Sequence, residues 1–414
     1  MNNAITYEQL VEQLNMLMQR DYETDFMARL QSVWNRYKDF IAYGVTFSYY
    51  NDKTYKNEES TIFPNKLRPI IDDKCEKVRE IVSAYLSGDI KRSIEVLEHD
   101  IIYDKALKYY LKYDYLRTDE PYYRLRSIDN TERSQKTCKY EPLDLFHMPF
   151  EYRGKVSTNR YSIPGYPCLY LGKSVYVCWE EMRRKDINAY AVVAMKCSKA
   201  IRLLDLRINR SFHTEADCKA YLTMLPIIIA CGMQVNFDGD QFKPEYILPQ
   251  LLLHTVLLNK QRMKSSSKDY NTSLSDIDKY QYKTYKGIIY SSSVIDHEYN
   301  ITAGKQELTD CIVLPALVDE NQSKGWSSEL AQVMSISAPY VFPELEFLKD
   351  MDNYHSDILK SDAIRQDEKD KDKYKCSYFY AVEQLLQKSP FHDTTDLIKD
   401  REAKLTSRND VKSI

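Results

Sequence analysis

Arg160, Tyr170 and Glu181 stand ten and then eleven positions apart, with Pro164-Gly165-Tyr166 and a Leu169-Tyr170-Leu171 run between them and Trp179-Glu180-Glu181 closing the series. A cation, an aromatic face and a carboxylate are what a protein needs to hold and break a dinucleotide. The guanidinium fork matches phosphate oxygens, the ring packs on a base, and the carboxylate stabilises positive charge developing on a sugar. Pro164-Gly165-Tyr166 is a strong turn signal. If the flanking segments pair as a hairpin centred on Gly165, Arg160 comes opposite Tyr170 on one face, with Leu169 and Leu171 turned to the core. Pro167 cannot donate to such a ladder, so the register is approximate. Ser174 reads as the N-cap of a helix with Val175, Cys178, Trp179 and Met182 on its apolar face, leaving Glu180 and Glu181 off it. The plainer reading of the same residues is a surface pair between Arg160 and Glu181, worth about 0–1 kcal/mol.

The elements that must position these side chains follow from periodicity. Leu10, Leu14 and Met18, then Phe26, Leu30, Val33, Trp34 and Tyr37, recur at three- and four-residue steps, and further helical blocks read at 75–86 and 90–110. Residues 1–115 are therefore expected to form a helical N-terminal extension. Past Tyr122 the texture changes. Short β-favouring runs at 123–125, 190–195, 201–204, 287–290 and 311–314 alternate with helical stretches at 174–184, 216–230 and 247–260. Strands mixed with isolated helices predict an α+β domain over 116–340. Residues 341–414 are expected to form a charged tail, with a charge-dense run at 362–375 and a short helix at 380–386. The polar insert at 264–273 reads as a surface loop.

Composition excludes more than it identifies. In 414 residues, 43% are hydrophobic and 29% charged, the balance of a soluble chain that can fill a core. A formal net charge of -3 supplies no positive field for nucleic acid, so no direct nucleic-acid binding is expected. The 9 cysteines lack CxxC spacing, which argues against a disulfide framework and a zinc cluster. Their bland role is that of small buried hydrophobes in a reducing compartment. No signal peptide is read at the N-terminus. The longest apolar run, near 222–235, is broken by Pro226, Gly232 and Gln234 and is shorter than the roughly 20 residues of a membrane span. A cytoplasmic protein without membrane contact is expected.

The series around Arg160 resembles the signature of the RES-domain family, NAD-consuming toxins paired with Xre-type antitoxins in bacteria. In that family an arginine precedes a Leu-Tyr-Leu tyrosine by ten positions and a glutamate follows eleven later; Arg160, Tyr170 and Glu181 keep both intervals. Tyr123-Arg124 with Arg126 resembles the family's opening strand, and Leu145-Phe146-His147-Met148-Pro149-Phe150 resembles the segment before the arginine in one branch. The run from Phe242 to Gln250 resembles its helix entry, and Gly287-Ile288-Ile289-Tyr290-Ser291-Ser292 resembles the late strand that supplies an active-site serine, placed at Ser292. The resemblance covers roughly residues 120–320. Tyr161-Ser162 departs from the more usual Trp-Asn or Phe-Asn, and Ser291 stands where a proline is common.

The resemblance implies an ADP-ribosyltransferase-like fold, a split mixed β-sheet clasping NAD+. It implies cleavage of the nicotinamide–ribose bond by phosphorolysis or hydrolysis, as a bacterial toxin or anti-phage defence effector. NAD+ is then a substrate rather than a cofactor, with inorganic phosphate as a co-substrate if the reaction is phosphorolytic. Nicotinamide leaves neutral from its pyridinium and needs no general acid, so the carboxylate's task is to stabilise the oxocarbenium-like sugar. That role falls to Glu181, with the adjacent Glu180 as the competing assignment. Arg160 would grip phosphate, Tyr170 would pack on nicotinamide or hold the ribose, Ser292 would bind the carboxamide or ribose, and Arg124 would be a second phosphate contact or a structural ion pair. Implied partners are an Xre-type antitoxin or another inhibitory protein, and the N-terminal helices could serve as inhibitor or homo-oligomer contact.

Other chemistries are disfavoured. There is no GxGxxG loop for hydride transfer. Ser291-Ser292-Ser293 lacks a nucleophile-elbow context. His147, between Phe146 and Met148, reads as a packing histidine, and no histidine has a partner at metal-ligand spacing, so no metal is expected. Two alternatives stay open: a protein mono-ADP-ribosyltransferase, and a catalytically silent interaction protein.

Overall fold

The computed structural model describes residues 4–51, 54–102, 113–128, 139–266, 285–295, 306–319, 322–345, 374 and 377–411. In chain order its helices are α1 (Tyr7–Leu17), α2 (Phe26–Phe40), α3 (Arg68–Leu86), α4 (Ile90–Val96), α5 (Val175–Glu181), α6 (Glu215–Gly232), α7 (Ile247–Ser266), α8 (Ser328–Ala331), α9 (Tyr378–Lys388) and α10 (Thr394–Val411). Its strands are β1 (Ile5–Thr6), β2 (Val45–Asn51), β3 (Lys56–Ile62), β4 (Tyr113–Leu116), β5 (Tyr122–Ser127), β6 (Cys168–Gly172), β7 (Tyr190–Cys197), β8 (Ile201–Leu206), β9 (Gly287–Ser291), β10 (Asp310–Pro315), β11 (Met334–Ser337), β12 (Tyr340–Val341) and β13 (Phe391–Asp393). The fold is α+β with mixed strand pairing, as the alternation of signals past Tyr122 predicts. Of the expected surface loop at 264–273, residues 264–266 close α7 and the rest lies outside the described residues; of the charge-dense run at 362–375, only Tyr374 is described.

The chain divides into two compact units. Unit one comprises 1–114, 158–163 and 203–303, and unit two comprises 115–157, 164–202 and 304–414. One division falls between Asp114 and Tyr115. Residues 203–303 fall in the same unit as the N-terminal helices.

Unit one is built around α6. This helix is buried almost all round, from Cys218 to Cys231, so it forms a centre rather than a surface. Helix α1 begins with a capping box, Thr6 accepting from the Gln9 amide while the Gln9 side chain accepts from the Thr6 amide. Asp25 caps α2 by accepting from the Met27 and Ala28 amides. The expectation of an all-helical start is corrected by β2 and β3, which form an antiparallel pair from Val45↔Ile62 to Asn51↔Lys56, with β1 parallel to β2. In β2 the alternation of Val45, Phe47 and Tyr49 buries one face, where Phe47 meets Tyr7, Phe212 and Tyr221. Strands β8 and β9 pair in parallel, Leu203↔Gly287 through Leu206↔Tyr290.

Unit two holds an antiparallel sheet in the order β13-β11-β7-β5-β6-β10, with β12 also on β7. Strand β7 is buried at every residue except Lys196, as expected of a central strand covered on both faces. Helix α5 lies close to β6 because Gly172 leaves room for it. A Cβ built there would stand 2.6 Å from both Cys178 Sγ and Val177 Cγ1.

Candidate functional site

Within unit two the site residues are set by β6 and the helix that follows it. Ser174 caps α5, its hydroxyl accepting from the Val177 amide at 2.9 Å while donating to the Leu308 carbonyl at 2.6 Å. The two adjacent carboxylates at the end of α5 then part company. Glu180 is 1% exposed and its Oε2 lies 2.6 Å from Arg184 Nε. This corrects the expectation that Glu180 falls off the buried face. Glu181 is half-buried, and Cys311 Sγ lies 3.8 Å from its Oε1. Of the two, Glu181 is the more exposed carboxylate.

Past α5 the chain turns through two left-handed residues, Arg183 and Arg184, with φ of 61° and 51°. Non-glycine residues adopt this region only when their surroundings over-determine it. Here Trp179 Nε1 donates to the Lys185 carbonyl at 2.8 Å and Arg184 is held by Glu180. The turn that ends the Glu181 helix is therefore clamped on two sides.

Tyr170 sits in the middle of β6, opposite Val313 of β10, and shares that face with Cys168, Gly172 and Cys311. Its carbonyl oxygen accepts from Arg124 Nη1 at 3.0 Å. Arg124 has a buried Nε with no acceptor among the described residues. Burial, and then the like charge of Arg126, lowers the Arg124 guanidinium to about 10. A cation held so far below its usual range is short of counter-charge. Burial pushes the Cys178 thiol up to about 12, with the Arg124 charge opposing the shift and the charges of Glu383 and Glu181 adding to it. Cys311, which meets Glu181, pairs with Gly172 of β6, and Gly172 pairs in turn with Tyr123, the residue before Arg124.

Arg160 and Ser292 belong to unit one. Arg160 Nη1 donates to the Cys231 carbonyl at 2.8 Å and Nη2 to the Met233 carbonyl at 2.9 Å, where α6 ends and carbonyls lack helical partners. Its guanidinium also lies 5.2 Å from the Tyr246 ring centroid. The expected hairpin placing Arg160 opposite Tyr170 is corrected. An isolated bridge, Asn159↔Ser162, closes a tight turn around Arg160, and the ladder partners of β6 are β10 and β5. Ser292, buried just past β9, accepts from the Val294 amide at 3.3 Å.

His147 packs as the sequence suggests. It is 1% exposed, its Nε2 accepting from the Ser327 amide at 2.8 Å and its Nδ1 lying 2.9 Å from the Met148 carbonyl. No group of three or more metal-ligating side chains occurs among the described residues, nor does any helix long and apolar enough to cross a membrane. A cavity of about 320 Å³ in unit one is lined by Tyr22, Phe237, Phe242, Asp240, Lys243 and others, and none of the predicted site residues lines it.

The feature missed in the sequence is Glu383 of α9. It is buried, and its Oε1 accepts from the Val175 amide at 2.7 Å and the Tyr374 hydroxyl at 2.6 Å. A signal was present: Phe379, Val382, Glu383 and Leu386 share one face at helical spacing, so a carboxylate stands in an apolar stripe.

No family model matches the chain, and no solved structure matches it. The chain is 29% identical over 326 residues, 73% of its length, to a protein of Bacillus subtilis (strain 168) named "Putative toxin YopC". It spans 66% of the length of that curated relative. The similarity is consistent with a toxin family.

Proposed function

We propose that this chain is a toxin that degrades NAD+ by cleaving the nicotinamide–ribose bond, on an ADP-ribosyltransferase-like fold of the RES-domain kind. The observation that carries the reading is the Arg124 guanidinium, its Nε without an acceptor among the described residues, held on the Tyr170 carbonyl of β6, the strand whose neighbour Cys311 meets the half-buried Glu181. The 29% identity to a protein named as a toxin supports the biological role. The family intervals supply the substrate.

Arg124 receives a phosphate oxygen of NAD+ through its unsatisfied donor. Tyr170 packs on the nicotinamide ring or holds its ribose in a reactive orientation. As the glycosidic bond stretches, its electron pair passes to the pyridinium nitrogen and nicotinamide departs neutral. The Glu181 carboxylate stabilises the cationic sugar left behind. An oxygen of inorganic phosphate then bonds to the anomeric carbon and gives ADP-ribose 1″-phosphate; with water in its place, ADP-ribose and a proton result. Arg160 and Ser292 enter the reading through the family pattern alone. An Xre-type antitoxin or another inhibitory protein, and a cytoplasmic site of action, belong to the same proposal.

The deciding experiment incubates NAD+ with the pure protein, with and without inorganic phosphate, and follows nicotinamide and the ribose product. Release that depends on phosphate identifies phosphorolysis, and release without it identifies hydrolysis. Label retained on a protein identifies a mono-ADP-ribosyltransferase. Absence of nicotinamide ends the enzymatic reading and leaves an interaction protein.

A further inference from the structure

We propose that Glu383, on helix α9, is a positioning residue that seats the N-terminus of α5 and thereby fixes where Glu181 stands. The inference rests on the role given to Glu181 above. Val175 is the first residue of α5, and its amide is a donor that no intrahelical carbonyl can satisfy. Glu383 Oε1 takes that donor at 2.7 Å, setting a carboxylate at the positive end of the helix. Tyr374 holds the same oxygen at 2.6 Å. A helix of 7 residues is too short to hold its own shape in water, so its neighbours decide its place. Glu181, its last residue, lies only about 9 Å along the axis from Val175, and a tilt at one end moves the other.

The rest of α9 reaches the same parts. The Phe379 ring centroid lies 5.7 Å from that of Tyr176 and 5.5 Å from that of Trp179, both on α5. Gln387 Nε2 donates to the Tyr123 hydroxyl at 2.7 Å, next to Arg124 on β5. Helix α9 thus touches both the helix of Glu181 and the strand of Arg124.

Burial pushes the Glu383 carboxyl up to about 7, with the Tyr374 and Val175 hydrogen bonds opposing the shift. Among the described residues, the titratable groups around it are the Tyr374 and Tyr123 phenols, both raised by burial, and the Cys178 thiol, pushed up to about 12. None of these changes charge near neutrality. Protonating Glu383 removes the anion from the α5 N-terminus and weakens the oxygen as an acceptor.

The test compares the full-length parent with Glu383→Gln and Glu383→Ala. Between about pH 5.5 and 8.5, the parent kcat for nicotinamide release from NAD+ should fall roughly tenfold toward acid while KM holds, and Glu383→Gln should lose that ionisation. If the ionisation survives in Glu383→Gln, the proposal is overturned. Independently of activity, hydrogen exchange of the α5 amides should quicken at least about tenfold in Glu383→Ala while those of β7 stay protected. Unchanged exchange in α5 also overturns it. If the parent releases no nicotinamide, the assignment of the reaction fails instead, and the exchange experiment alone decides whether Glu383 seats α5.

Discussion

Arg124 holds its Nη1 3.0 Å from the carbonyl oxygen of Tyr170, while its buried Nε meets no acceptor among the described residues. The cation is thus fixed to the backbone of the strand that presents the candidate aromatic. A buried guanidinium without a counter-ion is a poor stabiliser, and an apolar side chain of similar length costs little in its place. Arg124→Met should therefore leave the unfolding free energy within about 1 kcal/mol of the parent. Nicotinamide release should drop by at least about 100-fold, as expected on losing a charged contact to phosphate. Urea titration and a turnover assay on the same preparation check both. A variant destabilised by more than about 3 kcal/mol yet fully active per folded molecule would make Arg124 a strut.

Glu180 and Glu181 separate in the same way. Glu181→Gln changes a half-buried group and should cost under about 1 kcal/mol of stability while abolishing turnover and sparing NAD+ affinity. Glu180→Gln weakens a pair with Arg184 at 2.6 Å whose carboxylate is 1% exposed. It should cost about 1–3 kcal/mol and leave turnover per folded molecule intact. Calorimetric unfolding with binding and turnover measurements tells them apart. The opposite assignment of effects would move the chemistry to Glu180.

The Glu383 carboxyl predicts a direction for stability as well. Its ordinary value of 4.5 is raised to about 7 in the fold. Between those values the folded chain keeps a proton that the unfolded chain has released, so this group's contribution is full below 4.5 and is lost as pH rises through about 7. Glu383→Gln carries no such titration. It should match the parent near pH 4 and exceed it above pH 7 by an amount on the order of 3 kcal/mol. Unfolding curves of the two proteins across pH measure the difference directly. A constant offset at every pH would show that Glu383 does not titrate in this range.

Much of this site is legible because local signals coincide with the final structure. Ser174 caps α5 as its position before the apolar run implies, and the buried runs of β5, β7, β9 and β10 read as strands. What escapes is decided over long range. The turn after Arg160 suggests a local hairpin, yet β6 takes its partners from 122–127 and 310–315, which no local signal announces. Strand β3 buries only Ile62 of its seven residues, so Lys-Asn-Glu-Glu-Ser-Thr-Ile offers no alternation to mark it. Glu180 is buried because Arg184 turns back through a left-handed residue to meet it, a conformation that arginine seldom signals.

A last prediction concerns the centre of unit one. Pro226 lies inside α6 and has no amide hydrogen, so the Leu222 carbonyl four residues earlier loses its helical donor. The Tyr37 hydroxyl supplies one from α2 at 2.6 Å, and Trp34 Nε1 donates to the Pro226 carbonyl itself at 3.1 Å. Tyr37→Phe should leave a buried carbonyl unsatisfied and cost about 1–3 kcal/mol. Pro226→Ala restores an amide that can bond Leu222, so in that background the same Tyr37→Phe change should cost at least about 1 kcal/mol less. Urea unfolding of the parent, both single variants and the double variant closes the cycle. Simple additivity would show that the hydroxyl and the missing amide are unrelated, and that α6 tolerates its proline for another reason.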